Sequence, residues 1–302
     1  MFFNIVIISS YFLKFKKMKK AILCLASLLM LVTTGYSQSV WKVEKGGKVM
    51  YLGGTIHMLR EQDFPLPDVY DKTLEKSDVI AFEADLDKAK TPDFAQMVMA
   101  KCQYSDGRTL RSVLEEDTYT ALEAKVESYK LPMEHLTRMK PSMVMIMMMA
   151  MEMKKVGIGS KGVDAVYHEK AKDRKLPIKY LETMEEQMDL ISKMGEGDED
   201  EFVKYSLEDM KNMSGDLVTM LDEWKAGKPE YFTEKVKEMK SDYPEIYKDL
   251  LTDRNNKWLP QLENMMQDEP AEFVLVGVMH MYGNDGLIHQ LERKGYKVSQ
   301  LK

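Results

Sequence analysis

The chain contains the same strand-end device twice. Near its start an apolar run stops at Gly54-Thr55-Ile56-His57, and near its end another stops at Gly277-Val278-Met279-His280, about 220 residues later. Each copy reads strand, Gly-x-x-His, helix, strand. A lone histidine beside an apolar run is ordinarily a satisfied core residue. A matched pair, drawn from only five histidines in the chain, is harder to explain that way. The spacing predicts one sheet built from both chain ends, with the two strand ends side by side. Ligand sites of α/β sheets form outside the strand carboxyl ends, and each glycine permits a tight turn or close approach there. Two imidazoles then face one small space.

The segments around the pair support that sheet. "VWKVEKGGKVMYLGG" reads as a β-hairpin turning at Glu44–Gly47. A helix is expected from Pro67-Asp68 to about Lys76. "DVIAFEAD" is a continuous apolar run suited to a strand covered on both faces. Residues 91–268 are mostly helical in pattern. Helix starts fall at Thr91-Pro92 and Thr118, with Pro132, Pro141 and Pro244 as punctuation, and one short strand is expected within Leu176–Leu181. The acidic "GEGDEDEF" at 195–202 lacks EF-hand spacing and reads as a solvated helix N-terminus. A strand at Phe273–Val276, a helix at Leu287–Lys294 and a strand at Tyr296–Leu301 close the chain. The fold expected is a single α/β domain over 38–302, its central sheet built from both ends, with a large mainly helical insertion at about 91–268.

Residues 1–37 are excluded from that domain. From Met18, Lys19 and Lys20 precede an apolar stretch to about Thr34, and Gly35 and Ser37 stand at the −3 and −1 positions of a cleavage after Ser37. This is the order of a secretory signal peptide, with 1–17 an upstream extension, and it implies a periplasmic or secreted protein. The apolar core is short for a membrane span, so no stable transmembrane segment is expected after cleavage. The removed segment carries five lysines and no acid. The mature chain therefore keeps 38 basic against 49 acidic residues, net −11. That balance argues against nucleic-acid partners. Cys102 is the one thiol left, so no internal disulfide framework is available.

Imidazole suits Zn, Mn, Fe or Co, and catalytic metal sites use about three protein ligands with an open position for water. A third ligand at the same edge is expected to be a carboxylate. Glu83 ends the strand of "VIAFEAD", and Asp85 points the same way if the strand continues. The expected metal set is His57, His280 and Glu83, with Asp85 in reserve. The alternative is that both histidines only hydrogen-bond across the sheet edge.

At this point the sequence resembles the TraB/PrgY/GumN family, whose animal relatives are the Tiki proteases. "YLGGTIHML" followed by "FPLP", then "FEADL", "TLRSVL", "MKPSM", "KGVDAVYHEKAKDRKLPIKYLETMEEQ", "LLTDRNNKW" and "VLVGVMHMYGNDGLIHQLERKGYKV" carry the resemblance across nearly the whole mature chain. It implies an α/β fold related to the haem-uptake protein ChaN and the erythromycin-esterase group. It also implies a site made by the paired histidines and the Glu, assigned in the Tiki branch to peptide cleavage dependent on a divalent metal. The "DRN" segment adds Arg254 and Asn255. Arg254 either stabilises a developing oxyanion or holds a substrate carboxylate, or forms a buried salt bridge tying the helical region to the sheet. Asp85 or Glu182 of "LET" is a candidate general base. The expected function is an exported metal-dependent hydrolase acting on a peptide or protein. The rival is a non-catalytic protein of the same fold that captures a peptide, pheromone or haem.

Other motifs carry less. "GIGSKG" at 157–162 has GxGxxG spacing but follows a helix rather than a strand, unlike a dinucleotide fingerprint; Gly157 reads as a helix stop. "HEKAK" at 168–172 lacks the second histidine of a zincin. Cys102 reads as a packed thiol. "PSMVMIMMMAMEMKK" holds seven methionines between 143 and 153. Soft thioethers suit Cu(I), but a buried helix with adaptable packing is the simpler reading, and a flexible peptide-gripping surface is a third. His135, His168 and His289 lack paired context.

Overall fold

The expected hairpin forms with β1 (Val40–Lys45) and β2 (Lys48–Thr55) paired antiparallel. Its turn places Gly46 and Gly47 at φ +58° and +81°, the left-handed region where a Cβ is penalised. The computed structural model describes residues 39–159, 161–267 and 270–302. The signal-peptide reading of 1–37 lies outside these residues. Among them no helix is long and apolar enough to cross a membrane.

Four more strands complete a mixed α/β sheet: β3 (Val79–Phe82), β4 (Ile178–Tyr180), β5 (Glu272–Gly277) and β6 (Lys297–Gln300). The order is β4-β3-β5-β2-β1-β6. Strand β5 thus lies parallel between β2 and β3, while β4 pairs parallel with β3. The antiparallel β1 and β6 form the far edge. Strand β5, which leads to the second motif, therefore sits beside β2, which leads to the first, with Thr55 opposite Gly277. This pairing brings the two Gly-x-x-His ends to one edge. The carboxyl ends of β3 and β4 join them there, because Phe82 pairs with both Leu275 and Tyr180.

The sheet's apolar runs are buried on both faces, as parallel strands need to be; β2 from Met50, all of β3 and all of β5 are buried. Helices from along the chain supply much of the cover, among them Asp68–Glu75 with Tyr70 and Met213–Lys225 with Trp224. On one face Tyr70, Tyr167, Trp224 and Phe273 pack ring to ring at 5.7–6.2 Å. On the other, Phe232 stacks on Tyr282 at 5.7 Å, and Trp41 meets Tyr282 edge-on. Two of these rings also hold the strand end. Trp224 Nε1 and Tyr70 Oη both donate to the Gly54 carbonyl, at 2.8 and 2.6 Å. A Cβ on Gly54 would stand 3.0 Å from Val278 of the second motif, so this glycine allows the two strand ends to approach closely. Trp224→Phe keeps the packing and removes one of the two donors. It is expected to cost about 1 kcal/mol in urea unfolding, and an unchanged midpoint would show that Tyr70 alone suffices.

Most local expectations hold, including the helix Asp68–Glu75 and the Thr91 cap, whose hydroxyl accepts from the Phe94 amide. The acidic 195–202 stretch leads into the helix Glu199–Asp209, and Gly157 follows the helix Pro141–Lys155 at φ +76°. Thr118 is a correction. Its helix starts at Glu116 behind Glu115, so Thr118 lies inside the first turn, where the buried side chain does not cap. The methionine-rich helix Pro141–Lys155 is largely buried, and Cys102 is a buried free thiol.

Candidate functional site

Strand β2 ends at Thr55, and His57 follows two residues later at the sheet edge. His57 is 6% exposed and its Nδ1–H donates to Asp164 Oδ2 at 2.7 Å. Thr55 Oγ1 donates to the other oxygen of Asp164 at 2.8 Å. One carboxylate is thereby tied to both ends of the motif. This fixes the His57 tautomer and leaves Nε2 as the basic nitrogen. Burial alone would lower the imidazole's affinity for a proton. The charge and hydrogen bond of Asp164, with Glu83 nearby, outweigh it, and the net shift is upward from the ordinary value.

Asp164 reaches His57 through a close backbone approach. Val163 N–H donates to the Ile56 carbonyl at 3.0 Å. A Cβ on Gly162 would lie 2.2 Å from the His57 carbonyl carbon. Gly162, the last glycine of "GIGSKG", is therefore a contact point that sets the helix Val163–Asp173 against the first motif. Asp164 stands in the first turn of that helix.

Glu83 lies just beyond β3. Its Oε1 accepts from the Gly277 amide at 2.7 Å, and its Oε2 accepts from Arg254 Nη2 at 2.6 Å and Gln187 Nε2 at 3.3 Å. Burial raises the pKa of a carboxyl group. Arg254 and the Gly277 amide, with the nearby histidines, reverse that and hold Glu83 down at about 2. Glu182, past β4, takes Arg254 Nη2 and Nε at 2.7 and 3.2 Å. Gln187 also donates to Glu182, at 2.7 Å.

Arg254 is the hub. Besides the two glutamates, its Nη1 donates to the Leu250 carbonyl at 3.2 Å and to His280 Nε2 at 3.0 Å. A guanidinium has five N–H donors, and these five contacts use them all. The guanidinium also lies over the Trp258 ring at 4.6 Å. Arg254 thus performs the tying role, joining the helix Asp253–Met265 to the ends of β3, β4 and β5. His280 is fully buried behind it. Its Nδ1–H donates to Asn255 Oδ1 at 2.7 Å, and Trp258 packs against the ring at 4.5 Å. Burial, with Arg254 beside it, pushes the His280 pKa well below the ordinary range, so this imidazole is neutral. Asn255 Nδ2 donates to the His280 and Asp285 carbonyls, which makes it a positioning residue for the second motif.

His57, Glu83, Arg254, Asp164 and Gln187 line a cleft at this edge, walled by Phe82, Leu190, Ile191 and Leu250. Its open volume is about 30 Å³, room for a water molecule or two. His280, Asn255 and Glu182 stand behind the lining. Asp85 is not brought to the cleft. Strand β3 stops at Phe82, and Asp85 Oδ1 instead accepts from the Asp87 and Lys88 amides in the following turn. Asp164 and Gln187 are the additions that residue-by-residue reading missed. His168 is buried against Phe82 at 5.4 Å.

Tested against a divalent ion, the donors give a divided answer. Both motif histidines have Nδ1 tethered to a polar side chain, which leaves Nε2 as the nitrogen for a metal, as in metal-bound imidazoles. However, the Arg254 guanidinium takes the His280 Nε2 lone pair and one Glu83 oxygen. An ion bound there would face a fixed positive charge and lose one of its three donors. Among the described residues no group of three His, Cys, Asp or Glu side chains is placed to hold a metal. As arranged, the set does not fit a divalent ion, and no step below is routed through one.

A sequence model of the TraB/PrgY/gumN family matches residues 39–300. No curated protein and no solved structure matches the chain.

Proposed function

Because the chain belongs to the TraB/PrgY/gumN family, we propose that its sheet-edge cleft is a hydrolytic site acting on an ester or amide carbonyl, with a peptide as substrate class. The relationship to the Tiki, ChaN and erythromycin-esterase proteins belongs to the same proposal. So does action outside the cytoplasm, which the leader-like Met18–Ser37 segment supports. The observation that carries the reading is the 2.7 Å bond from His57 Nδ1–H to Asp164, on an imidazole that lines a water-sized cleft.

In this mechanism His57 Nε2 takes a proton from a water held in the cleft, and the water oxygen attacks the carbonyl. Asp164 orients the ring and stabilises the imidazolium that forms. The imidazolium then returns its proton to the leaving nitrogen or oxygen as the bond to carbon breaks. Arg254 has no donor to spare for the oxyanion. It acts through its charge, which a low-dielectric site screens weakly. The test is hydrolysis of short amide and ester substrates by the purified chain. Tight retention of an intact peptide without product would favour the binding-protein alternative.

The metal-dependent reading remains as a second one, favoured by the two tethered imidazoles. It requires Arg254 to leave His280 Nε2. The general-base reading predicts that exhaustive treatment with EDTA leaves hydrolysis within about twofold. Loss of activity on chelation, restored by Mn, Co or Zn, would replace it with the metal reading.

A further inference from the structure

The cleft has room for water, not for a peptide side chain, so the energy that holds a substrate must come from outside it. Leu250 is a wall of the cleft, and it is also a wall of a second, far larger cavity of about 600 Å³. That volume lies in the range of ligand sites. Its lining comes from the helices Pro141–Lys155, Glu199–Asp209 and Met213–Lys225, from Met210 between the last two, and from residues 193–198 and 242–250.

The cavity has two chemically distinct parts. Its floor is methionine: Met145 and Met149, one turn apart on the methionine-rich helix, with Met210 and Met213, all buried. Thioether side chains are flexible and polarisable and adapt to varied apolar surfaces. Its rim is acidic, with seven carboxylate residues against one lysine, Lys193. Asp198, Glu201, Asp242 and Glu245 have no ion-pair partner among the described residues, although the surface elsewhere is dense in such pairs. Tyr205 adds an exposed ring at 53%, one of two exposed large hydrophobic residues among those described, and it meets Tyr243 edge-on at 6.2 Å. Ring faces attract cations.

We propose that this cavity binds a basic, apolar segment of a peptide, its apolar side chains on the methionine floor and its Lys or Arg charges on the acidic rim, beside the cleft where a carbonyl is attacked. The proposal rests on the hydrolytic reading for its placement and deepens it to a substrate class. A methionine floor under an acidic rim suits amphipathic basic segments through unlike charge at the rim and rejects acidic ones through like charge.

The experiment uses fluorescence anisotropy with the purified chain and three synthetic peptides of one length: Lys/Leu, Ser/Leu and Glu/Leu. The Lys/Leu peptide is expected to bind at least about tenfold tighter than the other two, and raising salt from about 0.05 M to about 0.5 M weakens it. The variant Asp198→Asn/Glu201→Gln/Asp242→Asn/Glu245→Gln changes only exposed rim residues. It is expected to lose about tenfold or more in affinity for Lys/Leu while hydrolysing a short neutral substrate as the parent does. Equal binding of all three peptides, or unchanged binding by the rim variant, overturns the proposal. His57→Ala separates the two readings: it lowers cleavage by about 10²-fold or more if the hydrolytic reading holds and leaves Lys/Leu binding intact. Charge-selective binding in a protein that cleaves nothing would keep the cavity assignment and remove the hydrolase.

Discussion

Replacing Arg254 by methionine is expected to lower the unfolding free energy by about 3–5 kcal/mol, the usual cost of breaking a buried ion pair from one side. The reason is geometric. Glu83 and Glu182 both direct oxygens at this guanidinium, and His280 Nε2 accepts from it. Without it two buried carboxylates face each other through Gln187. Arg254→Lys should recover only part of the loss, because an ammonium has three donors and no planar fork. Adding Glu83→Gln and Glu182→Gln to Arg254→Met should recover more, because the uncompensated charges go with the cation. Acid sensitivity follows the same logic. Glu83 is held at about 2, below its ordinary value. Its contribution is therefore complete above the ordinary carboxyl range and is lost as pH falls through that range toward about 2. The methionine variant should lack this component of acid unfolding. Urea unfolding at pH 7 and pH 4 measures both effects; a methionine variant within about 1 kcal/mol of the parent would mean the hub contributes little.

The same hub shows what the sequence makes legible. The strands, the hairpin glycines and the doubled motif are short-range patterns, and each strand fell where its apolar run placed it. Convergence of the two motifs followed from repetition, because two strand ends in one parallel sheet share an edge. Long-range side-chain direction was harder. The place of Asp85 as a reserve ligand at the edge requires β3 to continue, and the strand stops at Phe82. Asp164 lies 107 residues from His57, in a segment whose notable feature was a failed dinucleotide fingerprint. Its signal was the Gly162-Val163-Asp164 order, a glycine for close approach followed by an acid in the first turn of a helix. That signal has meaning only once the glycine is known to touch His57. Of the two readings of Arg254, donor counting supports the salt-bridge tie and leaves its charge as the means by which it could act on an oxyanion. Five N–H groups with five partners form a structural tie, which no local pattern reveals.

His57→Ala is expected to reduce turnover by about 10²–10⁴-fold, the range for removing a general base, and to lower stability as well, because Asp164 stays buried with the Thr55 hydroxyl but without the imidazole. Asp164→Asn is the sharper test. In the parent, Asp164 raises the His57 pKa against the pull of burial, so kcat/KM should climb with pH through an apparent value above the ordinary imidazole value of about 6.5. Stability moves the opposite way. A histidine whose pKa is raised on folding contributes fully below its unfolded pKa, and that contribution is lost as pH rises through the folded value. The charged pair that strengthens the fold in mild acid is thus the state in which the base cannot act. Asparagine removes the charge that raises the pKa, while burial continues to lower it. The activity limb should then move to lower pH, the plateau should fall, and the stability difference across that window should flatten. A structural role for Asp164 would lower activity at every pH without moving the limb. Rate profiles of the two proteins between pH 5 and pH 9, set beside their melting temperatures, distinguish an orienting carboxylate from one that only packs.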